Sequence, residues 1–172
     1  MLFDLKHYLT GGVLIAFLIL LTGLSDYSPK QEDAKPFDWL KLEQAQLAAE
    51  TDNKIIMVFV EAEWCGICRR MEAEIFPEKE IQKIVQEKYH PVTIDLDSRE
   101  KVVYNGREMT EREFAREMNV QATPTILFLD ANGEVLAHQI GFQPVERFEA
   151  VLTFFESDEF GQISFEEYYE KI

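Results

Sequence analysis

Residues 55–68 read IIMVFVEAEWCGIC. The first six are continuously apolar and rich in β-branched side chains, which predicts a short central strand buried on both faces. Asp52-Asn53-Lys54 just before them suits a turn. From Gly66 the apolar positions Met71, Ile75 and Phe76 follow a helical spacing. Cys65 and Cys68 therefore fall where a buried strand hands over to a helix. At i and i+3, one helical turn brings them together. Cys65 is expected to precede the helix and face outward, with Cys68 one turn in and more buried. Gly66 leaves room for another chain to approach. A helix start carries unpaired N–H groups and a partial positive charge. Both favour thiolate at Cys65 and lower its pKa from the free value of about 8.5. Such a thiolate attacks a partner disulfide, and Cys68 then resolves the mixed disulfide.

Other uses of the cysteines fit less well. The chain has only two, whereas a structural zinc site needs four Cys or His ligands. His7, His90 and His138 are not spaced to complete a set with them, so no metal is expected. A brace closing so small a loop would stabilise little. Redox chemistry is the favoured reading, with the Cys65–Cys68 disulfide itself as the redox group and no further cofactor. Hydrophobic residues make up 47% of the 172, including 13 Phe, enough for a core without disulfide staples. The net charge of -15 argues against nucleic acid as a partner and against docking by charge on an anionic membrane. It reads chiefly as solubility.

The amino terminus points away from the cytosol. Residues 9–24, LTGGVLIAFLILLTGL, form an apolar run that reads as a signal peptide or a membrane anchor over residues 1–25, with an uncleaved anchor favoured. Residues 26–36 are polar with two prolines and suit a linker. A domain is expected over 37–157 and a short helical tail over 158–172.

Within that domain, Asp38 is expected to cap a helix with apolar positions Leu40, Leu47 and Ala48. Pro77 suits the first turn of a helix carrying Ile81, Ile84 and Val85, followed by a strand from Val92 to Leu96. Strand, helix and strand make a parallel crossover unit. Asn105-Gly106 marks a hairpin, and Thr110 to Glu113 a capping box for a helix running toward Met118. Ile126–Leu129 and Val135–Ile140, joined through Asn132-Gly133, read as an antiparallel hairpin. Pro144 opens a last long helix with Phe148, Val151, Leu152 and Phe155, and Ser164 to Ile172 a short amphipathic one.

Ala62-Glu63-Trp64-Cys65-Gly66-Ile67-Cys68 closely resembles the active-site segment of thioredoxins, and Thr123-Pro124 resembles their cis-proline segment. The resemblance covers roughly Phe37 to Ser157. It implies an α/β thioredoxin fold: a central mixed β-sheet flanked by helices, here with an N-terminal hydrophobic helix. It implies that Pro124 is cis and faces the cysteines, and that the backbone of Thr123 accepts a substrate peptide as an added strand. Trp64 and Gly66 would belong to the same substrate surface. The extra hairpin and the acidic tail are more similar to envelope proteins of bacteria, among them SoxW-type proteins and the carboxy-terminal domain of DsbD-type reductases. One residue departs from the pattern. Thioredoxins carry a buried Asp six residues before the first cysteine, where this chain has Phe59. Glu72, one turn after Cys68 and placed as in the DsbD-type domain, is the first candidate to accept the proton of Cys68, and Glu61 the second.

The function expected is thiol-disulfide exchange with protein substrates in the bacterial periplasm, mainly as a reductase recycled by a membrane or periplasmic thiol donor. Neither Gly66 nor Ile67 is a charged or imidazole group that would strongly stabilise a thiolate, which favours the reducing direction. Two other readings are a non-catalytic peptide-binding or chaperone module and a carrier of a soft ion such as Cu(I).

Overall fold

A computed structural model describes residues 36–172. The expected export segment with its hydrophobic helix, and the linker up to residue 35, lie outside the described residues. Among those described, no helix is long and apolar enough to cross a membrane.

In chain order the elements are α1 (Leu42–Asp52), β1 (Ile55–Glu61), α2 (Gly66–Glu74), α3 (Lys79–Lys88), β2 (Tyr89–Asp95), β3 (Lys101–Tyr104), β4 (Arg107–Thr110), α4 (Glu111–Glu117), β5 (Thr125–Leu129), β6 (Val135–Ile140), α5 (Val145–Phe155) and α6 (Phe165–Tyr169). Four strands form a mixed sheet in the order β2-β1-β5-β6. β1 and β2 run parallel, and the β1–β5 and β5–β6 pairs are antiparallel. The continuous apolar run of β1 is explained by this place at the centre. Ile56 to Val60 have no exposed surface. Met57 and Phe59 point into one core with Met71, Phe76, Phe128 and Phe148. Ile56, Val58 and Val60 point into the other, with Leu42, Ala45, Phe114 and Leu127. Alternation along β1 thus splits the molecule into helix, sheet and helix layers.

The expected hairpin at Asn105-Gly106 forms, with both residues at positive φ (50° and 73°), the left-handed pair that a two-residue turn between twisted strands requires. β3 and β4 make their own two-stranded sheet, fastened to α1 and to the β5–β6 turn. Gln46 Nε2 donates to Asn105 Oδ1 (2.6 Å), Asn105 N–H donates to Gln46 Oε1 (3.1 Å), and the Tyr104 hydroxyl donates to Gly133 O (2.6 Å). The capping box at Thr110 also forms, Glu113 Oε2 accepting from Thr110 N–H and Thr110 Oγ1 from Glu113 N–H.

Three local expectations are corrected. Asp38 does not cap α1. Leu40 N–H donates to Pro91 O (2.8 Å) in a parallel bridge beside β2, so the chain stays extended and α1 begins only after Lys41. Its buried face is Leu42, Ala45, Gln46 and Ala49, while Leu47 stays 58% exposed. Pro77 precedes α3, whose N-cap is Glu78, and β2 begins at Tyr89 rather than at Val92. The buried Tyr89 hydroxyl donates to Leu152 O (2.5 Å), tying β2 to α5 across the core.

Candidate active site

Sheet register gathers distant residues at one end of the molecule. β1 and β2 end together, Glu61 opposite Asp95. β5 begins there, Thr125 opposite Val60, and β6 ends there, Ile140 opposite Thr125. Cys65, the Asp95–Asp97 loop, Thr123-Pro124 and Gly141 therefore share that end. The carboxyl ends of parallel strands are where open α/β sheets place their sites.

Cys65 and Cys68 are joined in a disulfide, S–S 1.97 Å and Cα–Cα 5.2 Å. A turn closes before the pair, with Cys65 N–H donating to Ala62 O (2.8 Å). Cys65 is the N-cap of α2, and its Sγ accepts from Cys68 N–H at 3.1 Å. The sulfur that precedes the helix is thus the acceptor for one of the helix's orphan donors, an arrangement that favours negative charge on it. Cys68 is fully buried, as expected from one turn in. Cys65 does not face outward as expected: it is 4% exposed, because the Ala62–Cys65 turn tucks it into the same core cluster as Cys68 and Met71. The most exposed large side chain of the motif is that of Trp64, at 66%. Its Nε1–H donates to Asp97 Oδ2 (2.7 Å), and Asp97 in turn meets Arg112. Sequence reasoning missed Asp97, since 33 positions separate it from Trp64 and only the β1–β2 register brings them together.

The Thr123-Pro124 bond is cis, as the resemblance implied. Pro124 is buried, and its carbonyl accepts from Gly141 N–H (2.8 Å). The Thr123 hydroxyl is buried without a hydrogen-bond partner among the described residues. Three of the six exposed large apolar side chains among those residues lie at this end: Trp64, Ile67 and Ile140.

The two candidate acids stand differently from the order the sequence suggested. Glu72 lies on the exposed side of α2, where partial burial pushes its carboxyl up and Arg69 offsets the shift. Glu61 ends β1 half-buried, on the same strand face as Phe59 and hence on the disulfide side of the sheet. Burial raises its carboxyl, the charges of Glu72, Asp95 and Glu111 raise it further, and Arg69 opposes the shift here as it does at Glu72. By burial and by strand face, Glu61 is the better placed of the two. Among the described residues, no group of His, Cys, Asp and Glu is arranged to hold a metal ion.

Comparison with known proteins agrees with this geometry. The family model for the thioredoxin-like domain matches residues 42–156. A disulfide bond reductase of Chlamydia pneumoniae, DsbH, is 26% identical over 112 residues, covering 64% of this chain and 66% of DsbH. The thiol:disulfide interchange protein DsbD of Escherichia coli K12 is 28% identical over 109 residues, covering 62% of this chain but only 18% of DsbD. The chain thus spans just under two thirds of the one relative and under a fifth of the other. A thioredoxin-fold protein from Helicobacter pylori superposes with a TM-score of 0.61 at 22% identity, covering 70% of this chain and 80% of that one, a likeness of fold. With strand, disulfide and cis-proline segment assembled at one end of such a fold, and a family match running from α1 to the end of α5, this chain belongs to the thioredoxin-like family.

Proposed function

We propose that the protein exchanges its Cys65–Cys68 dithiol with disulfides of protein substrates in the bacterial cell envelope, working mainly as a reductase. The observation that carries this is the disulfide at the start of α2, with Cys65 Sγ held as acceptor of the Cys68 N–H. In the reduced form, the Cys65 thiolate attacks one sulfur of a substrate disulfide. A mixed disulfide forms, and the other substrate sulfur leaves as a thiolate. Cys68 loses its proton, attacks Sγ of Cys65 and releases the second substrate thiol. Two electrons pass to the substrate, and an external thiol donor must return them. Glu61, ahead of Glu72, takes the proton of Cys68.

Proteins rather than small disulfides fit the surface. Trp64, Ile67 and Ile140 form an exposed apolar rim, Gly66 leaves the approach open, and the backbone of Thr123 beside the cis Pro124 pairs with a bound strand. The reducing direction is supported by the uncharged Gly66-Ile67 pair and by the reductase among the relatives. The envelope location is supported by the apolar run at residues 9–24.

Cys68→Ala expressed in the native host tests the reading. The variant should accumulate substrates linked to Cys65, separable on non-reducing gels, while Cys65→Ala should not. A chaperone or a Cu(I) carrier would trap none, and would leave insulin unreduced in the presence of a thiol donor. Protease protection of the full chain in spheroplasts checks the compartment.

A further inference from the structure

A cleft of about 480 Å³ opens between the loop after β2 and the end of α4. Leu96 and Val120 give it an apolar lining, and Asp97, Arg112, Arg116 and Gln121 a polar one. Two connections join it to the candidate active site. Asp97 is the residue that holds the indole of Trp64, and Gln121 lies two positions before Thr123. A polypeptide laid across Trp64 and Thr123 would therefore extend one of its flanks into this cleft.

Asp and Glu number 32 against 17 Lys and Arg. Among the described residues the guanidinium groups of Arg69, Arg99 and Arg116 are outside the ion pairs that hold Arg70, Arg107, Arg112 and Arg147, and of these three only Arg116 lines the cleft. Arg112 and Arg116 are four apart on α4 and present their side chains on one face. Arg112 is engaged: its Nη2 donates to Asp97 O (2.9 Å) and pairs with Asp97 Oδ1 (3.4 Å). The side chain of Arg116 makes no hydrogen bond or ion pair among the described residues, although its charge contributes to holding the Glu113 carboxyl low. The acids nearest to it in sequence are committed elsewhere, Glu113 to the Thr110 cap and Glu117 to Arg107. The cleft thus holds one exposed guanidinium whose side chain is unpaired, beside an apolar lining, and the one acid of that lining, Asp97, is engaged by Arg112. Such a group pairs with a carboxylate in bidentate fashion.

We infer that Arg116 forms, with Gln121 and the apolar wall of the cleft, a subsite for an acidic side chain flanking the reactive cysteine of the substrate polypeptide. Arg116 is a specificity residue: it does not touch the sulfurs. Asp97 restricts the site to a single carboxylate, because a second negative charge would meet its own. The inference rests on the proposed exchange with protein disulfides.

The test uses the full chain and two synthetic peptides, each with one internal disulfide. They differ only in carrying Glu or Gln three residues from one cysteine. Single-turnover reduction of each by the reduced protein gives a ratio of rates, Glu peptide over Gln peptide. The ratio should be about threefold at low salt and fall toward one at high salt, the range of an exposed ion pair. In Arg116→Gln it should fall to about one, and in Arg116→Glu below one. A ratio near one in the unaltered protein, or one that both variants leave unchanged, overturns the subsite. If neither peptide is reduced, it is the proposed exchange itself that fails. Arg116 is exposed, so neither variant disturbs the core.

Discussion

At Glu61 and Glu72, the two acids that the sequence offers with Glu72 first, the surroundings differ. A carboxyl acts as a base for Cys68 only if its pKa lies near the working pH. Burial pushes both carboxyls in that direction, and at Glu61 three neighbouring acids add to it, whereas Glu72 has no such acids and stands on an exposed helix face. Glu61→Gln should therefore slow the resolving step about tenfold or more near neutral pH and move its rise to higher pH, while Glu72→Gln should change it about twofold. Stopped-flow reduction of a fluorescent peptide disulfide across pH 5–9 reads both. Stability gives an independent check. The carboxyl of Glu61 is raised in the folded state, so folding favours the protonated form. Stability associated with it is greatest below the unfolded carboxyl value and is lost as pH rises through the folded one. Urea midpoints should show Glu61→Gln gaining on the unaltered protein at pH 8 and not at pH 4. An equal offset at both would show that Glu61 titrates normally.

Among the elements, the two hairpins show how a turn residue serves a neighbouring element. Gly106 and Gly133 both have positive φ, 73° and 83°. A Cβ on Gly106 would meet nothing within 4 Å, but on Gly133 it would lie 2.8 Å from Asn105 Oδ1 and 3.1 Å from the ring of Tyr104. Gly133 sits where the β5–β6 turn, the β3–β4 turn and α1 converge, and its carbonyl accepts from the Tyr104 hydroxyl. Gly106→Ala should cost about 1 kcal/mol for backbone strain alone, and Gly133→Ala roughly 2–3 kcal/mol through added crowding. Thermal denaturation of both orders them. The sequence marked each Asn-Gly as a turn, because the left-handed preference of those residues is local. That one turn seats against the other was not legible, since it depends on the mutual placement of two hairpins. The misplaced start of α1 has the same origin: a long-range bond from Leu40 to Pro91 outweighs the local capping preference of Asp38.

For the molecule as a whole, the carboxy-terminal tail is part of the core. The described residues form one compact unit. Phe160 packs its ring on Phe154 and Phe155 at 5.6 and 4.9 Å, and Phe165 and Tyr168 also meet Phe154. Arg147 of α5 reaches Glu166 (2.6 Å). Phe160→Ala should lower stability by about 1–2 kcal/mol, less than a fully buried Phe because the ring is only partly covered. Chemical denaturation measures it, and a change within error would mean that the tail is only draped on α5. What the sequence determined on its own is what short-range chemistry controls. The apolar run of β1, the cysteines at the start of α2, the capping box and the Asn-Gly turns each express a preference within a few residues. With the order of elements they carried the fold and the redox pair. Tertiary structure alone decided which residues complete the site. The β1–β2 register delivered Asp97 to Trp64 and Asp95 to Glu61, the Ala62–Cys65 turn buried Cys65, and the commitment of Glu113 and Glu117 elsewhere left the side chain of Arg116 unpaired. Burial and ion pairing arise only when separate segments pack, so no window of sequence contains them.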